Sequence, residues 1–486
     1  MTNVLHLPAV AAIDIGTTSA KGLLVRSDGH VVLAEQRFYE TSFPQPGYAE
    51  QDPDFILQSV VEIIKTIVLN QNISGISFSA AMHSLMAIEK SGKPLTSLMI
   101  WSDTRSAKQS GRIIENNLSQ QLYEITGTPV HPMSPFCKLL WLKENQPVVF
   151  NSAFKFISIK EYILFHLTGD FVVDHSIASA TGIFDTDKRQ WSTLVLDLLE
   201  LKKENFSPVV SVYTPLKIKN EIANALGLQD VPLIVGASDG CLAQLGSQAM
   251  SEEDLSITIG TSGAVRAATK NKKIDPKAKI FNYLLDDDMF ICGGATNNGT
   301  ALIHWYGKNI DSSASQDVVE FVDQIKEIHP GCDGLIMIPY LLGERAPIYN
   351  PNVRGAFFGV SIDHHKKHFQ RALIEGVCFQ IQWIKESVEE LFGERKDIFV
   401  SGGFTRSKNW VQLLSDVLGK PLIHRDAQDA STMGAAMMGF KALKIPFEFT
   451  LQAAAFFNPD PKDHQIYTKN YGAFRKLYSA IEKIKV

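Results

Sequence analysis

Val10-Ala11-Ala12-Ile13-Asp14-Ile15-Gly16-Thr17-Thr18-Ser19 is a short apolar run that carries one acid and ends in a turn of small residues. Lys21 follows, and then a second apolar run, Gly22-Leu23-Leu24-Val25. This order predicts a strand, a tight glycine-threonine turn and a second strand. The pattern recurs near the middle of the chain. There Leu255-Ser256-Ile257-Thr258-Ile259 leads into Gly260-Thr261-Ser262-Gly263 and then Ala264-Val265. About half of the 486 residues separate Gly16 from Gly260. One supersecondary unit opening each half indicates an internal duplication rather than a short-period solenoid. The boundary is expected near residue 250, giving domains 1–250 and 251–486.

A chain of this length exceeds one ordinary core, which agrees with two domains. With 45% hydrophobic and 20% charged residues, the composition is that of a globular protein. The net charge of −5 lacks the basic field that nucleic acids or anionic membranes require, so neither is an expected partner. It does not argue against phosphates, which are held by local backbone dipoles and metal ions. The five cysteines are scattered without a C-x-x-C pair, which suits reduced thiols rather than zinc or disulfides. No basic leader precedes a long apolar run, so a cytoplasmic protein is expected.

Strands and helices alternate elsewhere. Residues 55–69 predict an amphipathic helix and 73–79 a strand. Residues 397–401 predict a strand ending at Gly402-Gly403, followed by a helix over 409–418. Residues 431–443, with Gly434, Ala435, Ala436 and Gly439, predict a small-residue helix able to pack tightly against a neighbour. Such alternation indicates α/β layers.

A glycine-threonine turn after a strand offers backbone N–H groups and hydroxyls with no bulk in the way, as a polyphosphate requires. One such turn is equally a plain hairpin loop. Two of them, the first with Asp14 before it and Lys21 after it, point to phosphate. Asp14 suits a water-bound magnesium ion and Lys21 a phosphate oxygen. Neither a Walker A pattern nor a kinase G-x-G-x-x-G loop is present, which excludes those two routes to ATP. Asp239, in Gly236-Ala237-Ser238-Asp239-Gly240, follows the apolar run 231–235. It is either an active-site carboxylate at a strand end or the cap of a helix beginning near Cys241. His83, in Met82-His83-Ser84, is either a structural histidine or a ligand-binding one. Trp101-Ser102-Asp103-Thr104-Arg105 reads as a binding loop or as a surface ion pair beside a packed tryptophan.

Two long stretches give these readings a family. Met133-Ser134-Pro135-Phe136-Cys137-Lys138-Leu139-Leu140-Trp141-Leu142-Lys143-Glu144-Asn145 resembles the first signature of the FGGY carbohydrate kinases. Gly355-Ala356-Phe357-Phe358-Gly359-Val360, continuing through His368-Phe369 to Ala372-Leu373-Ile374-Glu375-Gly376, resembles the second. The resemblance runs from Ile13 to the helix after Gly434. It implies an α/β fold of two related ribonuclease H-like domains, of the actin and hexokinase ATPase type, with an interdomain active-site cleft. It also implies ATP and Mg²⁺, a small sugar or sugar-acid substrate, and Asp239 as the base that takes the proton of the attacking hydroxyl, with the metal beside it and Asp14.

By the same resemblance, Gly16, Thr17, Thr18, Lys21, Gly260 and Thr261 face the phosphates. Gly402 and Gly403 let the adenosine approach, and Gly299 and Thr300 flank the ribose or the α-phosphate. Ser407 falls where glycerol kinases carry an asparagine near the base. Met82 and His83 touch the sugar as in related xylulokinases, Trp101 walls it, and Asp103 and Arg105 bond its hydroxyls or a carboxylate. Arg105 and Lys160 are the obvious cations for an acidic substrate, and arginine is the better carboxylate fork. Asp174, within Asp174-His175-Ser176-Ile177-Ala178-Ser179-Ala180-Thr181-Gly182, is a substrate contact or an ordinary helix cap.

That stretch, Met82-His83-Ser84-Leu85, and Pro339-Tyr340-Leu341-Leu342-Gly343-Glu344-Arg345-Ala346-Pro347 are most similar to the gluconate-phosphorylating branch of the family. D-gluconate is therefore the expected substrate, with xylulose or another polyol or ketose as the alternative. A catalytically idle, nucleotide-binding sugar sensor is a third reading, which the retention of Asp14, Asp239 and both turns disfavours. A homodimer is the commonest assembly for such an enzyme.

Overall fold

The computed structural model describes residues 7–427, 429–482 and 484. The opening motif forms β1 (Ala9–Ile15) and β2 (Ser19–Arg26), an antiparallel hairpin in which Asp14 lies opposite Lys21. β3 (Val31–Phe38) continues the sheet antiparallel to β2. Helix α1 (Pro53–Val68) follows, with Pro53 in its first turn. The Asp52 side chain caps it by accepting from the N–H groups of Asp54 and Phe55. Ile56, Val60, Ile63, Ile64 and Ile67 form its buried stripe at helical spacing. The stripe lies so close to β2 that a Cβ on Gly22 would stand 2.3 Å from Ile63.

β4 (Gly75–Ala80) runs parallel to β1, and β6 (Pro232–Ser238) runs parallel to β4, with β5 (Pro215–Lys217) antiparallel at the edge. The order across the sheet is β3-β2-β1-β4-β6-β5. β6 shifts register between Ile234 and Ala237, where Gly236 takes φ +71° and a Cβ would stand 1.8 Å from the Phe78 carbonyl oxygen. Only glycine satisfies that bulge. Helix α2 (Asp239–Gly246) starts directly after β6.

The chain separates into two units. Unit 1 comprises residues 7–248, 269–291 and 429–450, and unit 2 comprises 249–268, 292–427 and 451 onward. In unit 2, β7 (Asp254–Ile259) and β8 (Gly263–Thr269) form the hairpin of the second motif. β9 (Phe290–Thr296) lies beside β8, and β10 (Asp397–Ser401) runs parallel to β7. β11 (Leu422–Arg425) runs parallel to β10, and β12 (Ala453–Phe457) runs antiparallel to β11. Within a seven-stranded sheet whose outermost strand is Phe281–Leu284, the order β9-β8-β7-β10-β11-β12 repeats that of the six-stranded sheet of unit 1. Besides that added strand, the outer strand β5 precedes β6 in the chain, whereas β12 follows β11. The duplication suggested by the two glycine-threonine turns thus extends over whole sheets. Among the described residues no helix is long and apolar enough to cross a membrane.

The small-residue helix spans Ala430–Ala442 and packs in unit 1 against α2, β1 and β4. A Cβ on Gly434 would lie 2.1 Å from the Leu242 carbonyl oxygen, and one on Gly246 would lie 1.9 Å from that of Ala430. The two helix backbones therefore touch through glycine. Gly434→Ala is expected to destabilise the protein by about 1–3 kcal/mol through overpacking. Gly111→Ala, at a half-buried helix site where a Cβ meets nothing within 4 Å, is the control and should leave the thermal midpoint unchanged or slightly raised. Equal melting temperatures for the two variants would contradict the close contact.

Candidate active site

β1, β4 and β6 are parallel neighbours, so their C-terminal ends open on one edge of the unit 1 sheet. Asp14 pairs with Ser79, and Ser79 pairs with Ala237 across them. Gly16 therefore follows β1, Met82 and His83 follow β4, and Asp239 follows β6, all at one edge. In parallel sheets this carboxyl edge is where ligands bind.

The first turn is fixed from several sides. The Gly16 N–H donates to the Ser19 carbonyl at 3.0 Å, and the Tyr39 hydroxyl donates to the Gly16 carbonyl at 2.5 Å. The Gln51 amide donates to the Thr17 carbonyl at 2.5 Å, and the Trp101 indole N–H donates to the Thr17 hydroxyl at 2.9 Å. Thr18 is exposed. Gly16, Thr17, Met82, Ser84 and Trp101 line one small cavity, so the first turn and part of the sugar set share a wall.

Lys21 forms an ion pair with Asp429 at 2.6 Å, and the Ser431 hydroxyl donates to Asp14 at 2.6 Å. Burial pushes the Asp14 carboxyl above its ordinary range, against the opposing effects of Ser431, Ser79 and Lys21. Its Oδ1 is closed to solvent and, among the described residues, lacks a well-formed hydrogen bond, although Ser79 also lowers the carboxyl pKa. Among the described residues no three His, Cys, Asp or Glu side chains cluster to hold a metal. These donors fit a magnesium ion that keeps most of its water and takes one or two carboxylates plus phosphate oxygens. A cation there would also offset the cost of burying the Asp14 charge.

Asp239 is the first residue of α2, half-buried, and its Oδ1 accepts from the Gly240 N–H at 2.7 Å. Ser238 occupies the N-cap position, so Asp239 is not the cap. Behind it, the Ser238 N–H donates to the Ser176 hydroxyl at 3.1 Å. Lys160 donates to the Ala237 carbonyl at 3.1 Å and to Asp174 at 2.7 Å, while the other Asp174 oxygen accepts from the Ile177 N–H at 2.9 Å. The side chains of Lys160 and Asp174 are 1% and 0% exposed. Sequence reasoning offered both to the substrate. The structure instead makes them a buried brace behind the strand end that carries Asp239. Burial lowers the pKa of Lys160, and Asp174 opposes that shift.

His83 has φ +67° and sets its Nδ1 2.8 Å from the Ala180 carbonyl. A carbonyl only accepts, so Nδ1 carries a proton and Nε2 is the ring atom turned toward Tyr283. The Tyr283 hydroxyl is 3.5 Å from Nε2. Arg105 is held by Asp103 at 2.7 Å and Glu50 at 2.5 Å, and it stacks 3.7 Å from the Tyr48 ring. Its side chain is 4% exposed, and Asp103 also accepts from the Ala49 N–H. Both expected cations are thus neutralised by carboxylates within the fold. Lys138, in the first signature, donates to the carbonyls of His83 and Ile100 at 2.6 and 2.7 Å. It ties the His83 loop to the one that opens with Trp101. Burial pushes its ammonium down to about 7.

In unit 2, β7 and β10 are parallel, and their ends carry Gly260 and Gly402. The Gly260 N–H donates to the Ser262 carbonyl at 2.8 Å, and Thr261 is exposed. The next loop lies on this turn: Thr300 N–H donates to the Gly260 carbonyl at 2.7 Å, and Gly299 N–H donates to that of Thr261 at 3.2 Å. A Cβ on Gly299 would stand 2.4 Å from the Gly260 oxygen. Gly402 has φ +99° and crosses the end of β7, whereas Gly403 faces open space. Ser407 is buried and accepts from the Trp410 N–H, capping the helix Lys408–Leu418. That cap uses one acceptor site of the hydroxyl that the sequence placed near the adenine.

Sequence reasoning missed Tyr39, Gln51, Lys138, Tyr283 and Glu344. Lys138 and Glu344 stood inside quoted motifs, whereas no local pattern marks Tyr39, Gln51 or Tyr283.

Two sheets of one strand order, each headed by a glycine-threonine hairpin, define an ATPase fold of the actin and hexokinase type. Residues 9–246 match the FGGY family of carbohydrate kinases, N-terminal domain, and residues 255–443 match its C-terminal domain. The chain belongs to this family and is an ATP-dependent carbohydrate kinase, a phosphotransferase acting on a hydroxyl of a small sugar substrate. It is 36% identical over 444 residues to the gluconokinase of Bacillus subtilis, covering 88% of this chain and 86% of the relative. Among solved structures, the ligand-bound xylulose kinase from Lactobacillus acidophilus is similar with a TM-score of 0.93 and 32% identity, covering 98% of this chain and 99% of that one. The gluconate kinase from the same organism has a TM-score of 0.92, 32% identity and the same coverage.

Breaking the buried pair with Lys160→Met or Asp174→Asn is expected to lower stability by about 3–5 kcal/mol, since each leaves a buried polar partner uncompensated. The double variant Lys160→Met/Asp174→Leu should recover much of that loss in urea unfolding. Single variants as stable as the parent would refute the brace.

Proposed function

We propose that the substrate is D-gluconate and the reaction ATP + D-gluconate → ADP + 6-phospho-D-gluconate. The substrate choice rests on the match to the Bacillus subtilis gluconokinase. The residue roles rest on one observation, the common carboxyl edge of β1, β4 and β6 that carries Asp14, His83 and Asp239. Asp239 takes the proton of the C6 hydroxyl as that oxygen bonds to the γ-phosphorus. The bond from the γ-phosphorus to its bridging oxygen breaks, and its electron pair leaves with ADP. A loose phosphoryl-transfer transition state asks little of the base, so an ordinary carboxylate serves. Magnesium, when bound by Asp14 and Asp239 through water, supplies positive charge at the phosphates.

Gly16, Thr17, Thr18 and Lys21 in unit 1 and Gly260 and Thr261 in unit 2 are assigned to the phosphates. Gly299, Thr300, Gly402 and Gly403 are assigned to the nucleoside. His83 Nε2, Met82 and Trp101 meet the sugar, while Asp103 and Arg105 shape the loop that opens with Trp101. A cytoplasmic location fits five cysteines that are all buried and outside any disulfide.

A neutral ketose such as xylulose is the second reading, favoured by one feature of the site. Arg105 and Lys160 are each paired with carboxylates, so a sugar carboxylate would have to be held by N–H and O–H donors.

ADP release with gluconate, xylulose, ribulose, glycerol and erythritol decides between the two. Gluconate should show the highest kcat/KM, and xylulose in first place would replace the substrate assignment. Asp239→Asn should lower kcat by about 10²–10⁴-fold while ADP binding stays near that of the parent. A kcat near the parent value would remove Asp239 from its role.

A further inference from the structure

Glu344 lies in Gly343-Glu344-Arg345 and is fully buried in unit 2, with no direct hydrogen bond to the glycine-threonine turn. Both of its oxygens are saturated. Oε1 accepts from the backbone N–H groups of Asn297 at 2.9 Å and Arg345 at 2.7 Å. Oε2 accepts from the Thr296 hydroxyl at 2.5 Å and the Asn298 side-chain amide at 3.1 Å. Three of these four donors belong to Thr296, Asn297 and Asn298, the residues that lead straight into Gly299 and Thr300.

The surrounding bonds zip the same two segments together. The Asn298 amide also donates to the Gly343 carbonyl at 2.9 Å, and its oxygen accepts from the Leu342 N–H at 3.3 Å. Arg345 donates to the Thr296 carbonyl at 3.0 Å, and the Ala346 N–H donates to that of Ala295 at 3.0 Å. On the far side of this loop, Gly299 and Thr300 donate to the carbonyls of Thr261 and Gly260. One face of the 296–300 loop is thus held by Glu344, and the other face rests on the second glycine-threonine turn.

Three of the four groups on this carboxyl are N–H donors that cannot accept, so the arrangement favours the ionised form. Burial pushes the Glu344 carboxyl up, and its hydrogen bonds are what oppose that shift. Four hydrogen bonds at this depth hold the carboxyl and its partner loop in one geometry.

We propose that Glu344 is a positioning residue for the nucleotide: a buried carboxylate clamp that sets the backbone of Gly299 and Thr300, and through them the Gly260 and Thr261 turn, in the geometry that receives ATP. This inference rests on reading those four residues as nucleotide-facing. Glu344 touches neither substrate nor the reacting atoms. Its influence passes through the loop and falls on nucleotide affinity alone. The sugar-facing edge of unit 1 contains no part of this network.

The test measures steady-state constants for ATP and for the best sugar of the panel, together with ADP binding by calorimetry. Glu344→Gln keeps the shape but turns an N–H₂ group toward donors. Loss of hydrogen bonds to a charged acceptor predicts a rise in the KM for ATP and the Kd for ADP of about tenfold or more. The KM for the sugar should stay within about twofold, a split that general loosening of the fold would not give. If that variant does not fold, Thr296→Val, which removes one donor to Oε2, should raise the KM for ATP about threefold with the sugar KM unchanged. An unchanged KM for ATP in the folded variant, or equal rises in both KM values, overturns the clamp. Gly299→Ala tests the underlying reading separately. If it leaves the KM for ATP unaltered, the loop does not face nucleotide and the proposal falls with that reading. If Gly299→Ala impairs ATP while Glu344→Gln does not, only the clamp is wrong.

Discussion

Unit 1 depends on the contact between the helices Asp239–Gly246 and Ala430–Ala442, which meet backbone to backbone because Gly246 and Gly434 carry no side chain. A methyl group at either position would collide with a carbonyl oxygen of the other helix. The contact brings into unit 1 a segment that lies more than 400 residues downstream of the first turn. Once there, the segment sets Ser431 against Asp14 and Asp429 against Lys21. The charges beside the first glycine-threonine turn are therefore balanced by residues from the far end of the sequence. The helix that begins with Asp239 is held by the same packing.

The local parts of this arrangement were legible in the sequence because short-range rules decide them. An apolar run before Gly-Thr, an apolar run after it and a repeat of both gave the two hairpins that head the sheets. The strand Asp397–Ser401 and the small-residue helix expected over 431–443, found at 430–442, followed from run length and residue size. What stayed hidden was which polar side chains already have partners. Lys160 and Arg105 look like available cations in a string of letters, yet Asp174, Asp103 and Glu50 are drawn to them by tertiary folding. Ser407 illustrates the same limit, since a serine before a helix reads equally as a cap and as a contact. Tyr283 was beyond reach for another reason. Residues 269–291 follow the second turn in sequence but pack in unit 1, and no periodicity announces such a return.

The electrostatics of the carboxyl edge carry a pattern of their own. Lys138, Lys160 and Arg105 are all buried, and each has its donors directed into the protein by carbonyl or carboxylate oxygens. The positive charge of these three side chains is therefore structural. It stiffens the loops bearing His83 and Trp101. Discrimination by neutral hydrogen bonds is sharp for hydroxyl stereochemistry, because a misplaced hydroxyl leaves a buried donor or acceptor without a partner.

The late return of residues 429–450 also bears on how the protein is made. A ribosome releases the chain from its N-terminus onward, and domains generally fold as they emerge. Here β1, β4 and α2 are synthesised early, but the helix that covers them is among the last segments to appear. Until it arrives, Val10, Ser77 and Leu242 present an uncovered surface to the cell. The first half of this kinase therefore waits on the last tenth or so of its own translation before its core is closed, and an N-terminal fragment cut at the family-domain boundary would carry that open face permanently.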